Sequence, residues 1–549
     1  MKLTITKNMK TEPLNRHWQF CVGSGHASMA LRADYLEQLK KVHGELEIER
    51  VRFHGIFHDD MQVYMNLADM MPLPGAERFS TVSFRKIGMV YENLLACGVK
   101  PFVELSFMPK HLGKLDAQTS LYYGGCIAPP KDDETWKEWI QSFVKYLIGR
   151  FGAEEVESWP FEVWNEPDVF VFWAGTKEEY YHMYEVTARA VKEIDPKIQV
   201  GGPAASGSKW VGSFLKYCRE HDVPVDFISV HQYAGDPIGG VEASESLEEE
   251  RDPSEVTADL SVMAQIFSKA EGGSFLEGLR MIMPDKSELT DVPGDAFRKN
   301  AAIVKKQADG LPVYYTEWNE NAIFSSYTND TRKPAAYIVK AALDTEKLVT
   351  GSSVWCFSDI FEECSEIHEE FHGGFGLLTH SGIPKPAYQA MKLLAELGNN
   401  RIVLGEAEEN GSAEPGDESI QNIQRKAENG IEVAAFVDAP EQPGKIQILL
   451  YRQKMKNLPL PKESVTVEIE LDRRPRDIFL ERIDEDHCNP LRLWEEMGSP
   501  QELNRTQKAE MLEKSALKKE KAEYVYENGK LTLTAELGTN DVWMYTIIC

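Results

Sequence analysis

Two glutamates at the ends of separate apolar runs are the residues in this sequence best suited to paired acid chemistry. Glu166 closes the run 159–166 and precedes Pro167, and Glu317 closes the run 313–317. Both runs are rich in aromatic and β-branched residues, which favours strands. Two strand ends that each present one carboxylate could place the pair on either side of one bond. Glycoside hydrolysis uses that arrangement of carboxylates.

A lone glutamate at a strand end more often forms a salt bridge or a cap, so this interpretation depends on the neighbours. Asn165 precedes Glu166, and Pro167 favours an extended conformation at the residue before it. Aromatic side chains accompany both acids, and sugar rings stack on aromatic faces. These aromatic residues are Trp164, Trp173, Tyr233, Trp318 and Trp355. The combination favours a carbohydrate pocket.

Eight β-prone runs alternate with segments of helical periodicity. In one such segment Trp139, Phe143 and Leu147 share a face. The runs cover residues 20–25, 50–55, 101–106, 161–166, 198–202, 226–231, 313–317 and 353–357. Strands that alternate with helices predict a parallel sheet, and eight such units predict a closed (β/α)8 barrel.

Polar or aromatic residues stand at or just after the ends of five runs. They are His54, Glu166, His231, Glu317 and Trp355. The C-terminal ends of barrel strands meet on one face, where the active sites of this fold lie. No Gly-x-Gly-x-x-Gly follows the first run, and no zinc-protease spacing of histidines and carboxylates is present. We therefore expect an active site on this face without a cofactor or a metal.

Composition limits the binding partners and the cellular compartment that we expect for this protein. The 549 residues carry a formal net charge of -28, which argues against nucleic acid or an anionic membrane as a partner. The 8 cysteines form no C-x-x-C pair and suggest a reducing compartment. The first residues lack the apolar region of a signal peptide. We expect a cytoplasmic protein; the sequence allows either a monomer or a homo-oligomer.

The chain divides into three parts in this interpretation. Residues 15–395 form the barrel, with a long polar loop at about 236–300 after the sixth strand. Residues 396–549 contain alternating strands typical of a β-sandwich, interrupted by a helical segment at about 502–521. Residues 1–14 contribute a strand that we expect to join the sandwich. The predicted fold class is thus α/β, a (β/α)8 TIM barrel with a C-terminal β-sandwich accessory domain and a short helical extension.

An ordered set of motifs runs through residues 15–390. The motifs are CVGSGH at 21–26, RVRFHGIFHDD at 50–60, RFG at 150–152, FEVWNEP at 161–167, HQY at 231–233, TEWN at 316–319, WCFSDIFEE at 355–363 and FHGGFGL at 371–377. With them the chain resembles glycoside hydrolase family 39, the family of β-xylosidases and α-L-iduronidases within the clan of retaining (β/α)8 glycosidases.

The resemblance implies unequal duties for the two acids. Glu166 would be the general acid/base and Glu317 the nucleophile. Asn165 would bind the 2-hydroxyl of the sugar that is cleaved, and Arg52 and Tyr233 would orient Glu317. A carboxylate beside an arginine keeps its charge, as a nucleophile must. A general acid must instead be protonated near neutral pH.

The resemblance also implies the walls of the pocket. His54 and His231 would line it with hydrogen-bonding groups, and Trp355 would be the platform on which the sugar stacks. Glu362 or Glu363 would bind the more distant hydroxyls. The loop after the sixth strand is longer than usual in bacterial members of the family, so the sugar is less determined than the chemistry.

The favoured function is a retaining exo-glycosidase, a β-xylosidase that cleaves short oligosaccharides through a covalent glycosyl-enzyme intermediate. Other specificities stay open: arabinosidase, β-glucosidase or β-galactosidase, and an iduronidase-like activity. The last would need cations for a uronate carboxylate, for which Lys333 and Lys385 are candidates. A carbohydrate-binding barrel without activity and a transglycosylase that uses the same intermediate are the remaining alternatives.

Overall fold

The eight strand–helix units fold into a closed parallel barrel in the computed structural model. It describes residues 2–6, 10–235, 265, 267–269, 272–282, 294–364, 367, 369–404, 425–426, 430–441, 443–456 and 460–549. The barrel strands are Cys21–His26, Arg50–His54, Lys100–Pro101 with Val103–Glu104, Phe161–Glu162, Val200–Ala205, Phe227–Gly235, Val313–Asn321 and Gly351–Val354. All eight lie within one or a few residues of the predicted runs.

The third strand closes the barrel although it is interrupted at Phe102. Its first part, Lys100–Pro101, pairs in parallel with the second strand, and its second part, Val103–Glu104, pairs in parallel with the fourth. Every other neighbouring pair in this sheet is parallel as well. The rings of Phe20 and Tyr314, whose centroids lie 4.7 Å apart, pack with Phe102 at the N-terminal end of the barrel.

One long helix follows each strand and covers the outside of the barrel. These helices are Ala33–Leu46, Arg85–Ala96, Asp133–Phe151, Lys177–Ile194, Val211–Glu220, Ala296–Gln307, Arg332–Asp344 and Pro386–Ala395. Their apolar faces are buried against the strands; Phe143 and Leu147, for example, are fully buried, as the periodicity of that segment predicts. The predicted barrel is confirmed.

Two insertions extend the loops at the C-terminal face. A short hairpin, Tyr64–Asn66 with Ser80–Val82, follows the second strand. Within the predicted loop at 236–300 the structure describes the helix Phe275–Ile282 and the beginning of Ala296–Gln307. Most of the other residues of that loop lie outside the described part of the chain.

Two sheets, antiparallel except for the pairing of Lys2–Ile5, pack against each other to form the predicted sandwich. The first orders its strands as Lys2–Ile5, Glu463–Glu470, Lys530–Leu537 and Val525–Glu527. The second orders them as Thr11–Pro13, Asn400–Ile402, Glu432–Val437, Lys445–Tyr451, Val542–Ile548, Asp477–Ile483 and Glu520–Lys521. A shared apolar core contains residues of both sheets.

The N-terminal strand enters the first sheet, where Leu3 lies opposite Val467 in parallel register. The helical segment expected at 502–521 is shorter than its pattern suggested, since the helix is Arg505–Ser515 and residues 520–521 are already a strand. A second helix, Pro490–Glu496, precedes it. Among the helices that the structure describes, none combines the length and the apolar character that crossing a membrane requires.

Candidate active site

Arg52, on the second barrel strand, lies at the centre of a polar cluster inside the barrel and is fully buried. Its Nε donates to Glu162 Oε2 at 2.6 Å, and Nη1 donates to Glu317 Oε1 at 2.7 Å. Nη2 donates to Asn165 Oδ1 at 2.9 Å and lies 2.9 Å from Glu104 Oε2. Burial disfavours the charged guanidinium, but the three carboxylates outweigh burial and raise the pKa of Arg52. One cation therefore ties four strands together.

Both oxygens of Glu317 accept a hydrogen bond. Arg52 holds Oε1, and the hydroxyl of Tyr233 donates to Oε2 at 2.7 Å. Burial of the carboxyl favours its neutral form, but the charges of Arg52 and His54 and the hydrogen bond from the Tyr233 hydroxyl lower the pKa of Glu317 below its usual value. The carboxyl is thus charged and fixed in one orientation, which is the state that an attacking nucleophile needs.

A one-residue irregularity in the seventh strand brings two neighbouring side chains inward. The pairing with the sixth strand shifts so that His231 lies opposite Glu317 and Thr316 is the extra residue. Such a bulge re-aims side chains that would otherwise alternate across the strand. The Thr316 hydroxyl donates to Glu162 Oε1 at 2.7 Å and lies 3.1 Å from His231 Nε2. Both Thr316 and Glu317 therefore reach the same cluster.

The backbone at Glu166 differs from the expectation drawn from Pro167. We expected an extended conformation, but φ of Glu166 is 41°, in the left-handed region. The amide of Glu166 donates to the carbonyl of Ala204 at 2.9 Å, and its carbonyl accepts from the amide of Val169 at 2.9 Å. These two bonds hold the turn in a conformation that local preference disfavours. The turn directs the carboxyl of Glu166 toward the sixth strand.

The two acids meet across His231. Nδ1 of His231 lies 2.8 Å from Glu166 Oε1 and 3.6 Å from Glu317 Oε2. One ligand atom of each of these three residues lies within 4.8 Å of the other two. Burial lowers the pKa of His231, which favours the neutral ring. The structure thus brings together two carboxylates in the relation that acid-assisted attack on a single bond requires.

His54 and Glu363 form the adjoining wall. His54 Nδ1 lies 2.7 Å from Glu104 Oε2, and its Nε2 lies 3.6 Å from Glu363 Oε1. Burial opposes the charge on His54, but Glu104 outweighs it and raises the pKa of His54 to about 9. Burial raises the pKa of Glu363 to about 8 against the influence of His54. Glu363 Oε1 has no hydrogen-bond partner among the described residues.

Trp355, just after the eighth strand, covers the same wall. Its ring centroid lies 4.9 Å from that of His54 and 5.8 Å from that of Phe361. Its carbonyl accepts from Asn319 Nδ2 at 2.6 Å. Gly23 allows the indole to approach the first strand, since a Cβ there would lie 2.4 Å from Trp355 Cε3. The absence of a side chain at Gly23 therefore allows the indole of Trp355 to pack directly against the first strand.

Asn165 presents a free donor. Its Oδ1 is held by Arg52, which determines the orientation of the amide. Its Nδ2 is buried and makes no hydrogen bond within the described part of the chain. Buried polar atoms are rarely left without a partner. The amide is therefore suited to bind a polar group of a ligand.

The structure separates the two neighbouring acids at 362 and 363. Glu363 faces His54, whereas Glu362 pairs with Arg32 at 2.8 Å between Oε1 and Nη1. The other residues expected in the site do converge. They are Arg52, His54, Asn165, Glu166, His231, Tyr233, Glu317 and Trp355.

Three residues of the cluster were missing from the expected set: Glu104, Glu162 and Thr316. Each lies on a barrel strand and is at most 2% exposed. Glu104 and Glu162 each interrupt a run of apolar residues, which is the one signal that the sequence offered. The sequence offered no sign that Thr316 belongs to the cluster, because the direction of its side chain depends on the bulge in the seventh strand.

A second group of side chains of the types that can bind a metal lies outside the acid pair. His26, His58 and Asp60 place ligand atoms within 4.8 Å of one another. His26 Nε2 lies 2.7 Å from Asp60 Oδ2, as a hydrogen bond would place it. The expectation of a site without metal stays a prediction.

Comparison with known families agrees with the motifs and the barrel. The profile of the family described as "Glycosyl hydrolases family 39" matches residues 1–278 and 279–532. The chain is 36% identical over 550 residues to a β-xylosidase of Caldicellulosiruptor saccharolyticus, covering 100% of this chain and 98% of the relative. It is 34% identical over 409 residues to a β-xylosidase of Geobacillus stearothermophilus, covering 73% and 72%.

Solved structures show the same architecture. The crystal structure of a monomeric β-xylosidase from Caulobacter crescentus aligns with a TM-score of 0.74 at 26% identity, covering 100% of this chain and 99% of that chain. A second structure of a family 39 β-xylosidase from the same organism aligns with a TM-score of 0.72 at 26% identity. The chain therefore belongs to glycosyl hydrolases family 39 and is a glycoside hydrolase, an enzyme whose substrate is a carbohydrate.

Proposed function

We propose that this enzyme is a retaining exo-acting β-xylosidase that releases sugars from short oligosaccharides by double displacement. Glu317 attacks the anomeric carbon while Glu166 protonates the departing oxygen. This step forms a glycosyl ester on Glu317 and frees the leaving alcohol. Glu166 then takes a proton from water, whose oxygen attacks the anomeric carbon; the bond from that carbon to Glu317 breaks, which frees the carboxylate and releases the sugar with its original configuration.

The spacing of the two carboxyl groups is the observation that carries this proposal. Their facing oxygens lie within 4.8 Å of each other. Retaining enzymes separate the two carboxyls by about 5–5.5 Å, and inverting enzymes separate them by about 6.5–9.5 Å to admit a water molecule. The short spacing supports a covalent intermediate.

The surroundings assign the unequal duties. Glu317 is held by Arg52 and Tyr233 and has a lowered pKa, so it suits the nucleophile. Glu166 Oε1 instead lies 2.8 Å from Nδ1 of the His231 ring. A carboxyl in that position can keep its proton for the leaving group.

The free polar atoms suit a sugar in the same pocket. Asn165 Nδ2 would donate to the 2-hydroxyl, and Glu363 would bind a hydroxyl farther from the cleaved bond. The indole of Trp355 would stack on the sugar ring. His54 would donate from Nε2, since its Nδ1 is occupied by Glu104.

The relatives and the buried lysines favour a neutral sugar. Both relatives described above are named β-xylosidases. Lys333 pairs with Glu320 at 3.0 Å, and Lys385 pairs with Asp330 and Asp359 at 2.6 and 2.7 Å. Both lysines are fully buried in these pairs. Neither is available for a uronate carboxylate, which weighs against an iduronidase-like specificity.

A panel of nitrophenyl glycosides of xylose, arabinose, glucose, galactose and glucuronic acid tests the specificity. We expect the highest kcat/KM on the β-xyloside, with retained configuration in the first-formed product by NMR. Glu317→Ala should abolish turnover of every member of the panel. Product of inverted configuration, or hydrolysis by Glu317→Ala at the unaltered rate, would contradict the mechanism. A higher kcat/KM on the glycoside of another sugar would show that the proposed xylose specificity is wrong and would leave the mechanism unaffected.

A further inference from the structure

Three residues behind the acid pair form a hydrogen-bonded chain with a defined direction. Thr316 Oγ1 donates to Glu162 Oε1 at 2.7 Å, and the other oxygen of Glu162, Oε2, accepts from Arg52 Nε at 2.6 Å. The Thr316 hydroxyl has one proton, and that proton is used. Its remaining role toward His231 Nε2, 3.1 Å away, is therefore that of an acceptor.

The direction of this chain determines the tautomer of His231. Nε2 must carry a proton in order to donate to Thr316. Burial lowers the pKa of His231, so the ring carries only that one proton. Nδ1 is then a bare lone pair, directed at Glu166 Oε1 from 2.8 Å. A short contact between a lone pair and a carboxyl oxygen is favourable only if the oxygen bears a proton.

We infer that Glu162, Thr316 and His231 are positioning residues that hold the proton on Glu166 in the free enzyme. The inference rests on the proposed function, because it explains how the acid of that mechanism is kept ready. Glu317 keeps its charge without a cationic His231, since Arg52 and Tyr233 each bind one of its oxygens. The same ring thus separates the protonation states of two carboxyls that lie side by side.

Other ionisable groups face this ring from every neighbouring strand. Arg52 and His54 lie on the second strand and disfavour a cationic His231. Glu162 and Glu317, on the fourth and seventh strands, favour it. Burial outweighs the two acids, so the neutral ring is retained.

The isosteric change Thr316→Val tests the chain, because it removes the acceptor for Nε2–H and preserves the shape of the side chain. His231 is then free to carry its proton on Nδ1 and to stabilise the Glu166 carboxylate. We expect the basic limb of the kcat/KM profile to move to lower pH by about one unit. Substrates with poor leaving groups should lose more rate than nitrophenyl glycosides at the same pH. Thr316→Ser, which restores a hydroxyl, should restore the limb.

A direct reading of the tautomer complements the kinetics. In protein labelled with 15N-histidine, the signal absent from His231→Asn identifies His231. We expect an Nε2–H neutral ring in the wild type and an Nδ1–H ring in Thr316→Val. An unmoved basic limb in Thr316→Val, a cationic His231 at neutral pH, or failure of Thr316→Ser to restore the limb would each overturn the inference.

Glu317→Ala, measured in parallel, separates this inference from the proposed function. If Glu317→Ala hydrolyses glycosides normally, the proposed mechanism is wrong whatever the pH profiles show. If Glu317→Ala is inactive and Thr316→Val has an unshifted profile, only the role of the hydrogen-bonded chain is wrong. A Thr316→Val protein that does not fold leaves the NMR reading of the wild-type ring as the deciding measurement.

Discussion

At the scale of single residues, the pocket depends on how neighbouring carboxyls are kept in different states. Glu317 has a cation and a hydroxyl on its two oxygens, whereas Glu363 is buried without a hydrogen-bond partner on Oε1 among the described residues. The pKa of Glu317 is accordingly lowered, and burial raises that of Glu363 to about 8. Two glutamates that lie 3.7 and 3.6 Å from the same His54 Nε2 therefore suit opposite tasks.

Removal of the acid should affect substrates unequally. Glu166→Ala should lower kcat/KM on alkyl or oligosaccharide substrates by about 10²–10⁴-fold, because their leaving groups need a proton. The first step on nitrophenyl or dinitrophenyl xylosides should change far less. Steady-state and burst kinetics on a series of leaving groups would measure the difference. Glu362→Gln, whose side chain pairs with Arg32, is the control, and equal losses across the series would contradict the acid role.

The pH dependence on the acid side reports on Glu317. Glu317 works only when ionised, so kcat/KM falls as the pH drops through its pKa. Because that pKa is lowered, the acid limb of the wild type should lie below the usual range of a glutamate. Tyr233→Phe removes one donor to the carboxylate and should move the limb to higher pH by about one unit. Tyr526→Phe, in the sandwich, should leave it in place; a limb that stays or moves down in Tyr233→Phe would contradict the assignment.

At the scale of elements, strand register decides which side chains enter the site. The irregular pairing at Thr316 turns two consecutive residues of the seventh strand toward the cluster. The strand also continues to Asn321, four residues beyond the predicted end at Glu317, and the sixth continues to Gly235. Glu317, the proposed nucleophile, is therefore held within a paired strand rather than at a free strand end, which restrains its position.

The close packing of Gly23, on the first strand, against Trp355 allows a test of the proposed stacking of the sugar on that indole. Gly23→Ala would place a methyl group 2.4 Å from Trp355 Cε3, so the indole must move. We expect kcat/KM to fall by about tenfold to a hundredfold, since displacements near 1 Å can cost that much. Gly44→Ala is the matched control, because nothing lies within 4 Å of its Cβ on the first helix. It should keep full activity and gain up to about 1 kcal/mol of stability. Unaltered kinetics in Gly23→Ala would argue against a platform role for Trp355.

At the scale of the whole molecule, buried ion pairs join the barrel to the sandwich. Lys340, on the helix after the seventh strand, lies 2.7 Å from Asp344 and 3.0 Å from Glu432 of the second sandwich sheet. Burial disfavours the ammonium, but Asp344 and Glu432 outweigh it and raise the pKa of Lys340. Arg401 and Glu346 form a second buried pair. The proposed domains, residues 15–395 and 396–549 with residues 1–14, thus share charged contacts.

Loss of the Lys340 charge should weaken the whole fold. Lys340→Met leaves two carboxylates buried without their cation and should lower the free energy of unfolding by about 3 kcal/mol or more. Thermal and urea denaturation would measure the effect. Lys137→Met removes a partner from an exposed pair with Glu193 and should leave the unfolding transition where it lies in the wild type. Equal stability of the two variants would show that the interdomain pair contributes nothing.

Local pattern was sufficient to predict the eight strand–helix units, the sandwich and the two glutamates that the fold brings together, Glu166 and Glu317. Hydrophobic periodicity and short motifs depend on neighbours in the chain, and such neighbours are visible in a sequence. The same logic failed at Glu166, where Pro167 predicted an extended backbone but the turn, held by a hydrogen bond to distant Ala204, is left-handed. It also failed for the helical segment at 502–521, which ends at Ser515.

Only the folded chain decided which groups touch. Glu104, Glu162 and Glu317 are separated by up to 213 positions in sequence, yet they share one guanidinium. Strand register and closure of the barrel decide three further features. They place Glu363 rather than Glu362 beside His54, turn the Thr316 hydroxyl toward the cluster and leave Asn165 Nδ2 without a hydrogen bond among the described residues. Contacts of this kind lower the pKa of Glu317, because charge and burial act through distance in space rather than position along the chain.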